Sequence, residues 1–316
     1  LALFAFSSSF GVEHAQFVWQ LLLLIAGVLT LWVSALVLKT AGKLHHFALV
    51  ALSPLLILET AVGLHIDALS TLAVIGAIYF WQRNQNGLTG TVIGLGMTIK
   101  ILPVMLLLPF FFSQQSLKGA VTLVIHCALT VIFIYLTTLA LGYYPVGSIG
   151  VFFEKWRSSS PLFSVIGEAL TNGEILAVIF SLLVLGTSLV AYLSFRYRAT
   201  LQRAPSIETK SKNNNKDVIY VCMQLSLALP LLVSPVVFPW YLLPLVPVLA
   251  LWPNKYLIGW MLLMPLTYEV LSQFLANQLW QPAQWPINLL GIWYLVALAS
   301  ALWFFVNRFK QSKFSS

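Results

Sequence analysis

The chain has 316 residues, of which 59% are hydrophobic and only 8% charged, with a formal net charge of +8. Soluble domains carry about 25% charged residues, so a mean hydropathy of +0.90 excludes a soluble fold and points to an all-α polytopic membrane protein. The 17 Lys and Arg lie mostly in short loops between apolar runs, which is the positive-inside pattern and leaves nucleic acid out as a partner.

About 20 apolar residues cross a bilayer as a helix. On that ruler full spans are expected near 17–38, 46–63, 66–82, 119–141, 174–195, 218–235, 239–253, 256–276 and 287–306, about nine transmembrane helices. No helix is expected ahead of the first span, where residues 1–16 contain Glu13 and His14. Residues 88–112 would reach roughly 37 Å as one straight helix, yet charge placement reads them as a re-entrant helical hairpin. With residues 1–16 outside and 88–112 folded back, 14 of the 17 basic residues fall inside, from Lys39 and Lys43 to Arg308, Lys310 and Lys313. A single crossing would put the basic stretch 196–217 outside. The hairpin tip carries Lys100 and Pro103. Gly87, Gly90, Gly94 and Gly96 in its first half allow close helix contact.

Residues 1–316 thus read as one transmembrane domain. It includes an extracytoplasmic amphipathic loop at 142–173, with Phe152, Glu154, Lys155, Trp156 and Arg157, and a disordered basic cytoplasmic loop at 196–217. A Trp/Pro-rich cap is expected at 277–286. Cys127 and Cys222 lie inside apolar runs and read as small core residues. His126 reads as a hydrogen-bonded core residue. Glu269 reads as a partner for Lys155 or Arg157.

Four side chains conflict with an apolar setting. Glu59, His65 and Asp67 interrupt the apolar stretch 53–69, and Lys100 stands between two greasy runs. A charge at mid-bilayer costs about 2.5–3.5 kcal/mol on insertion scales, so such residues face a bundle interior or a wet cavity and mark function.

Three blocks carry a family resemblance. The first is Ser53-Pro54, Glu59 and Gly63-Leu64-His65-Ile66-Asp67-Ala68-Leu69; the second is Gly87, Gly94-Leu95-Gly96, Lys100-Ile101-Leu102-Pro103 and Pro109; the third is Ser234-Pro235-Val236-Val237-Phe238-Pro239-Trp240-Tyr241-Leu242. In this order and spacing they resemble the GT-C superfamily of integral-membrane glycosyltransferases, in particular the bacterial polyprenol-phosphate-mannose-dependent mannosyltransferases. The resemblance implies transfer of a hexose, mannose foremost, from a polyprenyl-phosphate-linked sugar to a lipid or glycan acceptor on the extracytoplasmic face. A bacterial inner membrane fits, with the active site toward the periplasm, and the charge placement puts the C-terminus in the cytoplasm. The resemblance also implies a catalytic Asp or Glu in the loop after the first helix. The first helix and its acid are expected upstream of Leu1, with Glu13 the weaker local candidate for that base.

The chemistry of such a transfer needs a carboxylate to take the acceptor's proton and a cation to hold the departing phosphate. Lys100 offers the compact cation, or else forms a buried pair with Glu59 or Asp67. Asp67 either caps the helix that follows it or positions sugar, acceptor or a cation. His65 and Asp67, two residues apart, share a cavity only in non-helical backbone. Glu59 reads as a structural partner of Lys100. Glu59, His65 and Asp67 form a possible Mg or Mn ligand set. Trp240 and Tyr241 stack on a sugar face or anchor the interface. The rival to an enzyme is a membrane transporter or lipid flippase, with Glu59, His65, Asp67 and Lys100 as a relay.

Overall fold

A computed structural model describes residues 2–143, 159–160, 163, 170, 172–203, 209–278 and 283–314. The amphipathic patch expected at 152–157 lies outside the described residues, as do four positions of the cap, 279–282. The described chain is helical almost throughout. A short helix, α1 (Ala2–Ser8), does precede the first long one, α2 (Val12–Ala41). Helix α2 is nearly unbroken apolar sequence and stops at Gly42, whose φ of 72° is the left-handed conformation that closes a helix.

After a 3₁₀ turn (Leu44–His46) come α3 (Ala48–Ala51) and α4 (Pro54–Ala61). These two parts of one apolar run are bent by 47°. Ser53 causes the restart: its Oγ accepts from the amide of Leu56, and Pro54 takes the first helical position, where its missing N–H costs nothing. Next are α5 (Asp67–Gln82), α6 (Asn86–Ile99), a 3₁₀ turn (Leu102–Leu106), α7 (Leu107–Ser113) and α8 (Leu117–Ala140). Then follow α9 (Asn172–Arg203), α10 (Thr209–Leu232), α11 (Leu245–Leu251), α12 (Lys255–Leu263), α13 (Glu269–Asn277) and α14 (Gln284–Phe314). Helices α9 and α10 take up most of 196–217, the stretch expected as a disordered loop.

The all-α polytopic architecture expected from the sequence is present. Among the described residues four helical stretches are long and apolar enough to cross a membrane: Val12–Ala41, Leu117–Ala140, Gly173–Thr200 and Lys255–Asn277. The bent pair α3–α4 makes a fifth if counted as one span. Proline shortens other helices and interrupts one of these four. Pro239 opens a 3₁₀ turn ahead of α11, and Pro265 sits in the one (Met264–Tyr268) that interrupts α12–α13. Proline lacks the amide that would continue an α-helical ladder.

The segment 88–112 turns back at Lys100. At the tip, Lys100 reaches Asp67, the first residue of α5. On the return, Phe110 stacks on Trp81 near the other end of α5, with ring centroids 5.2 Å apart. Both ends of the hairpin meet again at Gly119, where an added Cβ would lie 2.6 Å from Asn86 Nδ2 and 3.0 Å from Gln114 Oε1. Gly90 lets α6 lie directly on α8: a Cβ there would fall 2.1 Å from the carbonyl oxygen of Leu123.

Buried Leu38, Val50, Ile75, Ile78, Ile93, Leu106, Phe110 and Leu123 belong to one core that continues through Met223 and Leu249. Outer faces of α8 and α9 leave Leu129, Phe133, Phe180 and Leu185 exposed, as lipid-facing helices do. Cys127 and Cys222 are buried free thiols. His126 is exposed rather than in the core, its Nδ1 2.9 Å from the carbonyl of Thr122 on its own helix.

The two ends of the bundle differ in charge. Arg198 donates to the carbonyl of Gln115, Gln82 donates to that of Val37, and Lys43 pairs with Asp217. These contacts gather Lys39, Lys43, Arg83, Lys118 and Arg198 at the end opposite Lys100.

Candidate active site

Every break in the helices near the Lys100 end delivers a polar or aromatic side chain to one cluster. In a membrane, irregular backbone is tolerated only where protein or a wet cavity satisfies it. The end of α4 supplies Glu59, the link to α5 supplies His65, and the start of α5 supplies Asp67. The hairpin tip supplies Lys100. The 3₁₀ turn Pro239–Leu242 supplies Trp240 and Tyr241, and the break Met264–Tyr268 supplies Tyr268.

The link between α4 and α5 solves the problem posed by the two-residue spacing of His65 and Asp67. Leu64 adopts a φ of 52°, a costly conformation for a residue with a Cβ, and so turns His65 out of helical register. Trp19 of α2 holds this turn by donating its Nε1–H to the Leu64 carbonyl at 3.1 Å. Phe4 of α1 stacks on Trp19 at 4.3 Å. Gly63 is required beside them, because a Cβ would come within 2.6 Å of Glu59 Oε2 and 2.7 Å of His65 Nδ1.

Two networks result. In one, Glu59 is 1% exposed and both its oxygens are engaged. Oε1 accepts from the Tyr268 hydroxyl, and Oε2 accepts from His65 Nδ1 at 2.7 Å. With Nδ1 bound to the carboxylate, the other ring nitrogen of His65 is left for a ligand. One face of the imidazole lies on Trp240, centroids 3.8 Å apart and planes 12° from parallel. Trp240 in turn stacks on Phe238 at 4.5 Å.

In the other network Lys100 Nζ donates to Asp67 Oδ1, with side-chain exposures of 22% and 3%. The ammonium also sits over the Tyr241 ring, 3.4 Å from its centroid. An ammonium has three donors, so Lys100 keeps capacity for a further anion. Its one-sided exposure gives that anion access.

Several expectations change here. Glu59 is not the partner of Lys100; Asp67 is. Asp67 does not cap α5 through its side chain, since residue 66 is the cap and accepts no side-chain bond. Glu59, His65 and Asp67 are split between two networks, and no group of three metal-ligating side chains converges among the described residues. Glu269 accepts from the Ala283 amide at 3.1 Å; its expected pairing with Lys155 or Arg157 falls on residues outside those described and remains an expectation. Tyr268 is the site residue that sequence reading missed. The available signal was Pro265 inside an apolar run, followed by Thr267-Tyr268-Glu269.

Glu13 lies in the first turn of α2 and is exposed. It is six residues, roughly 9 Å along a helix, before Trp19, and so at this same end of the bundle.

Residues 1–212 match the family model of glycosyltransferase family 87. Neither a curated protein nor a solved structure matches the chain. The matched stretch carries Glu59, His65, Asp67 and Lys100, while Trp240, Tyr241 and Tyr268 lie beyond it. With the match covering more than half of the chain, and with at least four helices long and apolar enough to cross a membrane among the described residues, the protein belongs to glycosyltransferase family 87 and is an integral-membrane glycosyltransferase.

Proposed function

We propose that the chain transfers a hexose, mannose foremost, from a polyprenyl-phosphate-linked sugar to a lipid or glycan acceptor, with the Lys100 end of the bundle as the site. The observation that carries this reading is a partly exposed ammonium, oriented by Asp67 and Tyr241 at the tip of a helical hairpin, in a chain of this family. In the reaction the acceptor hydroxyl attacks the anomeric carbon. The bond from that carbon to the phosphate oxygen breaks, and polyprenyl phosphate leaves with the electron pair. Lys100 meets the negative charge gathering on that phosphate, where a fixed cation acts most strongly.

The other network orients the sugar. Glu59, fixed by Tyr268, holds His65 against Trp240, so that imidazole and indole present a rigid polar and aromatic wall. Glu59 itself is not the base, since both of its oxygens are occupied. Glu13 takes the acceptor's proton in this reading. It follows a short helix, stands exposed in the first turn of α2, and stays outside both networks.

The membrane is a bacterial inner membrane in this reading. Collection of Lys39, Lys43, Arg83, Lys118 and Arg198 at the opposite end supports a cytoplasmic assignment for that end and a periplasmic one for the site. Purified protein in proteoliposomes, given a radiolabelled polyprenyl-phosphate hexose and a lipid extract, should form a new labelled glycolipid and release polyprenyl phosphate. Label that crosses the bilayer with its donor intact would instead favour a transporter.

A further inference from the structure

At the end of the bundle opposite Lys100 lies a second polar cavity of about 480 Å³. Its lining includes Lys39, Lys43, His45, His46, Asp217 and Tyr220. We infer that this cavity binds the phosphate-bearing headgroup of an anionic membrane lipid.

Four observations support the assignment. First, the volume lies in the range that holds small ligands, roughly 300–1,000 Å³. Second, the lining carries two lysines and two histidines against one carboxylate. Lys43 is held in place rather than mobile. It pairs with Asp217 at 2.5 Å and lies over the rings of Tyr220 and Trp252, at 5.4 and 4.8 Å. His46 is fixed by the carbonyl of Ala250 at 2.9 Å and carries the ring of His45 against its own, centroids 4.1 Å apart, whereas Lys39 and His45 are exposed to a ligand. Third, the cavity sits where the 30-residue helix α2 ends, the level at which a spanning helix meets headgroups. Basic pockets between membrane helices at such a level recognise anionic lipid. Fourth, exposed Leu44, Leu49 and Leu52 stand on the chain beside the cavity, 39–72% exposed. They provide an apolar track for acyl chains that a soluble phosphate compound would not use.

The inference does not depend on glycosyl transfer, and its test reads lipid retention alone. The full chain, assembled in nanodiscs of phosphatidylcholine containing some phosphatidylglycerol, is released into detergent and its bound lipids are counted by native mass spectrometry. Wild type retains phosphatidylglycerol in preference to phosphatidylcholine. Lys39→Gln weakens that preference about fivefold, the value of one cation near an anionic lipid. Lys43→Arg keeps it. The triple variant Lys39→Gln, Lys43→Gln, Asp217→Asn abolishes it and leaves no orphaned charge that could unfold the protein. Inorganic phosphate added as competitor has no effect. Equal retention of the two lipids by wild type, or an undiminished preference in the triple variant, overturns the inference. Displacement of phosphatidylglycerol by inorganic phosphate would assign the cavity to a soluble phosphate compound and overturn the lipid assignment.

Discussion

Replacing Lys100 with methionine leaves Asp67 as an unpaired carboxylate whose side chain is only 3% exposed. Removing one partner of a buried ion pair costs about 3–5 kcal/mol, because the remaining charge loses both its partner and its water. The reverse change, Asp67→Asn, is milder. Lys100 is 22% exposed, rests on Tyr241 and has a flexible stem that reaches water; we expect a cost of about 1.5–3 kcal/mol, that of a hydrogen bond to a charged group. The double variant Lys100→Met, Asp67→Asn removes both charges and should be close to wild type, since replacing a whole buried pair is often neutral. The cycle therefore predicts strong coupling, roughly 4.5–8 kcal/mol in magnitude, the sum of the two single-variant costs. The assay is thermal or denaturant unfolding of the four purified proteins in one detergent. Additive single-variant effects, or a Lys100→Met protein as stable as the double variant, would show that Asp67 is not buried against Lys100 and would refute the reasoning.

Tyr268→Phe removes the hydroxyl donor from Glu59 Oε1 and should cost about 1.5–3 kcal/mol of stability; it should lower transfer further because His65 loses its anchor, measured as a fall in kcat/KM beside the melting shift. Gly90→Ala would put a methyl carbon 2.1 Å from the Leu123 carbonyl oxygen; forcing α6 off α8 should cost about 1–3 kcal/mol or more, read as a lower melting temperature. Glu13→Gln should slow transfer by about 10²–10⁴-fold, the usual worth of a general base, while leaving polyprenyl-phosphate binding intact. Turnover at the wild-type rate would remove Glu13 from the mechanism.

The polar residues of the site were legible because charge is conspicuous in an apolar chain. Glu59, His65, Asp67 and Lys100 each interrupt a greasy run, and Trp240-Tyr241 follow a proline. Their pairing was not legible. Sequence distance gave no reason for the hairpin tip to meet Asp67 rather than Glu59, and the left-handed turn at Leu64, which separates the two networks, falls on an ordinary leucine. Tyr268 escaped notice because a tyrosine in a membrane helix looks like an interface anchor until the break at Pro265 turns it toward Glu59. Helix breaks are hidden from a span count for the same cause. Hydropathy registers apolar length, whereas the breaks at Ser53-Pro54, Lys100, Pro239 and Pro265 decide which runs stay straight. His126 shows the limit from the other side: its Nδ1 contacts its own helix's carbonyl, and that lets a polar ring sit at an exposed position.

The central claim is that Lys100 receives the donor's phosphate and that Asp67 competes for the same ammonium. Affinity for polyprenyl phosphate, the leaving group, tests it directly in wild type, Lys100→Met and Asp67→Asn proteins. The account predicts weaker binding than wild type for Lys100→Met and tighter binding for Asp67→Asn. Equal affinity in all three would contradict it.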